Sequence, residues 1–225
     1  MKTQGAVFFD VDGVLLDSLP QHLSYCSLKA KEYGLLDVHV PTVEGFRRLV
    51  MDGTRVSPMV NFFLAVGFPR KSAERADDDY RHEFAQRFPS KTFPGVREML
   101  MKLHAAGISL GLVTANVREN VEPPLLEYMS YFDPRCLFFF ERSARSNDKK
   151  AHLREGARIL RLPPPRCTFV GDQPADAAAA HSADLAFLGV SYGWGFRKGT
   201  EGERIVDAVS EIAPRILADK EAILR

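Results

Sequence analysis

The sequence is short of net charge, of cysteine and of long apolar runs, and each shortage removes a class of function. Its 30 Lys and Arg residues against 29 Asp and Glu leave a formal net charge of only +1. A chain so evenly balanced has no broad basic face, so neither nucleic acid nor a membrane surface is expected as a partner. The three cysteines, Cys26, Cys136 and Cys167, are odd in number and far apart. They make neither a disulfide framework nor a zinc-knuckle spacing, which points to a reducing compartment. Near the N-terminus stand Lys2 and one short apolar run, Ala6 to Phe9, which Asp10 cuts off. That run is too short for the core of a signal peptide and far too short for a membrane span. The expectation is a soluble, cytoplasmic protein. Internal repeats and low-complexity tracts are missing too.

What is present is ordinary globular material. The 225 residues, 45% of them hydrophobic, suffice for one large domain or two modest ones. Short β-branched or aromatic runs recur at 6–11 (AVFFDV), 108–114 (ISLGLVT), 136–140 (CLFFF), 167–172 (CTFVGD) and 185–190 (LAFLGV). Segments of helical period accompany them. VREMLMKLHAAG (96–107) puts Met99, Leu100 and Leu103 on one face and ends at a capping glycine. LREGARILRL (153–162) and PADAAAAHSAD (174–184) behave likewise. Nearly continuous apolar strands alternating with amphipathic helices predict an α/β fold, a parallel sheet covered on both faces.

One interval breaks the alternation. Between Leu19 and Pro89 there are helical stretches, QHLSYCSLKAKEYG and SPMVNFFLAVGF, but no convincing strand. The charged run KSAERADDDYRHEFAQRF reads most simply as a solvated helix face. Residues 19–89 are therefore expected to form a helical insertion after the first strand, with linkers near Ser18 and at 88–96. Residues 1–18 and 90–225 are left for the core.

The opening stretch AVFFDVDGVLLDS ends an apolar strand in Asp10 and Asp12, with Asp17 following. Carboxylates gathered at the end of a buried strand repel one another and lose hydration, which a fold tolerates only where a cation or a reaction uses them. In a parallel α/β sheet, ligands bind beyond the carboxyl ends of the strands. Those ends carry Asp10 and Asp12, then Thr114 and Asn116, then Asp172 with Asp176 four residues on. The stretch NDKKAH adds Lys149 and Lys150 near a helix start. Oxygen donors without His or Cys suit a hard cation such as Mg²⁺ and count against zinc. A cation, a lysine, a hydroxyl and free backbone N–H groups are what a phosphoryl group needs, and one carboxylate could attack it to give an aspartyl-phosphate.

DVDGVLLDS resembles the first signature of the haloacid dehalogenase superfamily in its phosphotransferase form, DxDGxxxDS. LGLVTAN, the lysine of SNDKKAHL and VGDQPADAAAAHSAD follow in that family's order. FPGVREMLMKLHAAG and GVSYGWG resemble its phosphoglycolate-phosphatase-like branch, so the likeness spans residues 6 to about 196. The resemblance implies a Rossmann-like core with a helical cap, and it implies roles. Asp10 would be the nucleophile. Asp12 would protonate the leaving oxygen and then activate water, giving the metal only its backbone carbonyl. Asp10, that carbonyl and Asp172 would hold Mg²⁺, with Asp176 as an outer or occasional ligand. Thr114 and the following amides, Ala115 and Asn116, would hold phosphoryl oxygens, and Lys149, with Lys150 as the alternative, would offset negative charge.

In the insertion, His22 and Arg55 are the candidates for touching substrate: His22 lies just past the hinge residues Asp17 and Ser18, and Arg55 sits in the loop MDGTRVS. Asp176 also reads as a first-turn residue favoured by the helix dipole. Trp194 is expected to pack under the sheet edge. The function expected is a Mg²⁺-dependent phosphatase acting on a small phosphorylated metabolite: phosphoglycolate, a sugar phosphate or a nucleotide. A phosphomutase of the β-phosphoglucomutase type and a non-catalytic phosphate-binding regulatory module are the alternatives. A dehalogenase would not need the acid at Asp12, and a phosphonate hydrolase would carry a smaller residue there.

Overall fold

The computed structural model describes residues 5–140 and 148–223. Lys2, used above against a leader, and the Ser and Asn at 146 and 147 lie outside those residues. Five of the expected strands and their helices are present. They are β1 (Gly5–Phe9), β4 (Ile108–Val113), β5 (Phe132–Phe138), β6 (Cys167–Gly171) and β7 (Ala186–Val190). A sixth, the short β8 (Ile205–Val206), completes a sheet of order β5-β4-β1-β6-β7-β8, parallel at every pairing. The topology places β1 between β4 and β6, so the residues following those three strands meet at one edge of the sheet.

The helices cover the sheet as their patterns require. In α5 (Val96–Ala105) the residues Met99, Leu100 and Leu103 are all buried, and Gly107 just beyond it adopts φ +71° as a capping glycine does. Helix α7 (Lys149–Leu160) starts earlier than its apolar period, because the Asp148 side chain caps it by accepting from the Ala151 N–H. Helices α8 (Pro174–Ser182) and α9 (Val209–Ile223) complete the layers. One apolar cluster, including Phe9, Leu100, Leu112 and Ile212, fills one face of the sheet. A second, around Phe8, Leu153 and Phe169, fills the other.

Helices α1 (Leu19–Glu32), α2 (Val43–Met51), α3 (Met59–Val66) and α4 (Arg70–Arg87) give no strand to the sheet and pack round a third cluster of Phe46, Phe62, Phe63 and Phe84. The chain leaves the core and returns through a two-stranded antiparallel ribbon, β2 (Leu16–Asp17) with β3 (Lys91–Thr92). Helix α4 corrects the reading of KSAERADDDYRHEFAQRF as a solvated face. Most of its charges lie outward, but Asp77 and Arg81 pair half-buried against the core, and Ala73, Ala76, Tyr80 and Phe84 form a buried stripe. Helix α6 (Arg118–Leu125) follows β4 and carries Pro123 and Pro124 inside. Among the described residues, no helix is long and apolar enough to cross a membrane, and all three cysteines are buried outside any disulfide.

Candidate active site

Strand β1 is buried along its whole length and delivers Asp10, itself only 4% exposed, to the edge where the sheet's ligands would lie. Beyond it the chain turns sharply at Gly13, whose φ is +78°. A Cβ there would stand 2.2 Å from Asp172 Oδ2, so only glycine fits both the turn and the approach. The carboxylates of Asp10, Asp172 and Asp176 thereby come together, with one oxygen from each within 4.8 Å of the others.

A single ammonium serves this group. Lys149 Nζ lies 2.6 Å from Asp10 Oδ2 and 2.7 Å from Asp176 Oδ1. Backbone N–H groups supply the rest: Val11 donates to Asp10 (2.8 Å), Trp194 to Asp172 Oδ2 (2.7 Å), and Asp172 and Gln173 to Asp176 Oδ2 (3.2 and 3.1 Å). Asp176 is thus the first-turn capping residue of α8 that its position suggested, and it is also a partner of Lys149. Burial pushes the Asp10 carboxyl up to about 7 against the pull of Lys149, with Asp176 adding to the rise. Burial, reinforced by Asp176 and Asp10, likewise raises Asp172 well above the usual carboxylate range. Burial opposes the charge on Lys149, yet Asp10 and Asp176 outweigh it and raise its pKa.

Two observations test the fit of a divalent cation. Three carboxylates, once ionised, exceed the one ammonium by two negative charges in a buried space, and Asp172 Oδ1 is buried without a hydrogen-bond partner. Oxygen donors, two missing positive charges and one vacant lone-pair position suit a hard divalent ion.

The Asp12 carboxylate lies outside this group. It accepts from Ser18 Oγ (2.6 Å) and Asn116 Nδ2 (2.8 Å). Thr114 Oγ1 accepts the Asn116 backbone N–H at 3.1 Å. That N–H, expected to hold a phosphoryl oxygen, is therefore spent inside its own loop, while the Thr114 O–H stays available to donate. His22, expected to touch substrate, has both ring nitrogens committed, Nδ1 to Ser18 O (2.7 Å) and Nε2 to the Tyr80 hydroxyl (2.9 Å). Burial lowers its pKa, the charge of Asp12 opposing only in part.

A cavity of about 710 Å³ runs from these residues to the insertion. Asp10, Asp12, Thr114, Ala115, Lys149 and Lys150 line it from the sheet and its helices, and Arg55, Met59, Phe62 and Tyr80 from the insertion. Arg55 is exposed at its rim. Trp194 corrects the expectation of a place under the sheet edge. It lies in the cluster of the inserted helices, its ring 5.5 Å from His22 and 5.8 Å from Phe62, and it lines the same cavity.

Comparison with known proteins decides the family. The model of the haloacid dehalogenase-like hydrolases matches residues 5–184. The chain belongs to that family. Among curated relatives, a phosphoglycolate phosphatase from Xanthomonas campestris pv. campestris is 30% identical over 210 residues, covering 89% of this chain and 88% of its own. An N-acetylmuramic acid 6-phosphate phosphatase from Pseudomonas aeruginosa is 27% identical over 196 residues, 84% of this chain and 82% of its own. A haloacid dehalogenase-like family hydrolase from Streptococcus pneumoniae shares the fold, with a TM-score of 0.76 at 19% identity over 96% of this chain and 99% of that one.

The protein is thus a haloacid dehalogenase-like hydrolase of phosphoric monoesters. The residue that sequence reasoning missed in this hydrolase's cavity is Tyr80. Its signal was available: an apolar stripe of Ala73, Ala76, Tyr80 and Phe84 at spacings of three and four runs through the charged segment.

Proposed function

We propose that this hydrolase is a Mg²⁺-dependent phosphatase of a small phosphorylated metabolite, working through an aspartyl-phosphate on Asp10, with residues 19–89 as a cap over the core. The observation that carries the reading is the buried carboxylate triad of Asp10, Asp172 and Asp176 with one lysine and an unpartnered Asp172 oxygen. Asp10 and Asp172, with the Asp12 carbonyl, would hold the ion. Asp176, whose Oδ2 already accepts two backbone N–H groups and whose Oδ1 accepts Lys149, would back them from outside. When bound, Mg²⁺ supplies charge neutralisation for the phosphoryl group.

The chain's own residues perform the chemistry. A carboxylate oxygen of Asp10 attacks phosphorus and the bond to the ester oxygen breaks, while Asp12 gives that oxygen a proton. Asp12 then takes a proton from water as the water attacks phosphorus, releasing phosphate and restoring Asp10. The Thr114 hydroxyl and the Ala115 backbone hold phosphoryl oxygens, and Lys149 offsets the charge on Asp10. Arg55 at the rim offers a cation to the far end of the substrate.

The two curated relatives named above act on phosphoglycolate and on an amino-sugar acid phosphate, so small acidic and sugar-like monoesters are the class to test first. The experiment is a panel of phosphoglycolate, N-acetylmuramic acid 6-phosphate, hexose phosphates and nucleoside monophosphates with purified protein and Mg²⁺. Phosphate release from at least one, abolished by chelation, supports the reading. Isomerisation without release would make it a phosphomutase, and inertness toward every monoester would overturn it.

A further inference from the structure

Asp12 and Tyr80 belong to one closed ring of hydrogen bonds that joins the core to the inserted helices. Going round it, Ser18 Oγ donates to Asp12 Oδ1 at 2.6 Å and Asn116 Nδ2 donates to Asp12 Oδ2 at 2.8 Å. The same Asn116 amide reaches the Tyr80 oxygen at 2.9 Å, Tyr80 meets His22 Nε2 at 2.9 Å, and His22 Nδ1 meets the Ser18 carbonyl at 2.7 Å. Ser18, His22, Tyr80 and Asn116 are all buried.

Each role in the ring is forced from one end. A carbonyl only accepts, so His22 Nδ1 carries the proton and Nε2 is bare. Tyr80 must then donate its O–H to Nε2, which leaves its lone pairs to accept from Asn116. That turns the NH₂ of Asn116 toward Tyr80, and its second N–H falls on Asp12. The Asn116 oxygen is meanwhile fixed by the Val117 N–H at 2.8 Å. With the His22 ring neutral and Asp12 ionised, this arrangement alone satisfies the carbonyl at one end and the carboxylate at the other.

Tyr80 stands on α4, more than sixty positions from Asp12 in sequence, yet it completes the orientation of the group facing the cleft. We infer that Tyr80 is a positioning residue for Asp12: its hydroxyl, held by His22, keeps the Asn116 amide on the carboxylate and so makes proton transfer depend on the seating of α4 against the core. The inference rests on the proposed acid–base role of Asp12. Removing the hydroxyl leaves Asn116 with a spare buried donor and His22 with a bare acceptor, and buried polar groups that lose a partner rearrange to find another. Asp12 would follow them.

The test compares wild type, Tyr80→Phe and Asp12→Asn over monoesters whose leaving groups run from para-nitrophenol to simple alcohols. It reads kcat/KM, which covers only the steps up to formation of the phospho-enzyme. General acid help is worth about 10²–10⁴-fold and matters most for poor leaving groups. Tyr80→Phe should therefore cost about 10- to 100-fold on alkyl phosphates and no more than about threefold on para-nitrophenyl phosphate. A merely structural role would lower both alike. Asp12→Asn should show the same steepening, more strongly. If Asp12→Asn steepens the dependence and Tyr80→Phe depresses all substrates equally or none, the positioning role is overturned while the acid–base reading stands. If Asp12→Asn itself shows no steepening, the acid–base reading has failed and the inference with it. Should Tyr80→Phe melt, Asn116→Ala breaks the same ring from the core side and must give the same steepening.

Discussion

Adding Mg²⁺ to the metal-free protein should expel protons, in a number set by the buried carboxylates. Without metal, burial holds Asp10 up to about 7 and drives Asp172 in the same direction. A carboxylate must be ionised to bind a cation, so a proton present beforehand leaves on binding. At pH 7 a group of that pKa contributes about half a proton, and Asp172 adds to it. Lys149 contributes none, because its carboxylate partners keep it charged. The sign follows: protons and Mg²⁺ compete, so affinity rises with pH. For Asp10 alone, apparent affinity should weaken by about tenfold between pH 8 and pH 6. Isothermal titration calorimetry in buffers of different ionisation enthalpy counts the protons, and repeating it across that range gives the slope. Affinity flat with pH and no proton release would mean that these carboxylates are already ionised, which would refute the account of their burial.

Asp10→Asn keeps shape and loses charge. It should lower turnover by at least about 10⁴-fold while circular dichroism and melting show a folded protein. Lys149→Ala strips the only ammonium from two buried carboxylates and should cost about 3–5 kcal/mol of stability in metal-free protein. Lys150→Ala should cost far less in denaturant melts, and equal costs would reassign the lysine. Gly13→Ala places a methyl against Asp172 at a backbone angle that L-residues avoid by about 1–2 kcal/mol. Its Mg²⁺ affinity should drop with its stability, and wild-type Mg²⁺ binding by that variant would show that the turn is not what sets Asp172.

Much of the fold was legible because its signals are local. The strands around Phe8, Leu112 and Val170 are apolar on both faces, and Met99, Leu100 and Leu103 keep helical period beside a capping glycine. Strand β5 begins at Phe132, earlier than its apolar run, because an edge strand accepts Pro134 and solvent-facing Arg135. The two-residue β2 and β3 are too short to show alternation. At the candidate site, the residues that the sequence offered after apolar strands, Asp10, Thr114 and Asp172, line one edge of the sheet, since strand ends are readable. Tyr80 was not legible, since a hydroxyl on a helix stripe becomes a site group only when distant elements bring Asn116 and His22 to it.

That difference separates two ways of holding a carboxylate in the same cleft. Asp10, Asp172 and Asp176 are fixed by backbone N–H groups of Val11, Trp194, Asp172 and Gln173, and by one lysine. The donors at Val11, Asp172 and Gln173 belong to a strand end and a helix start and shift only if the sheet shifts, while the N–H of Trp194, whose ring packs among the inserted helices, is the point at which this half touches them. The Asp12 carboxylate, two residues from Asp10, is held among the described residues by side chains, Ser18 and Asn116, which His22 and Tyr80 of the inserted helices hold in turn. The role proposed for Asp10 needs a nucleophile that stands still through attack and release, which suits a grip of main chain. The role proposed for Asp12 is that of a proton donor, useful only with water excluded, which suits a grip that passes through the inserted helices. Loss of a side chain in the second grip should therefore alter which leaving groups are tolerated, while loss of a main-chain turn in the first should undo the site itself.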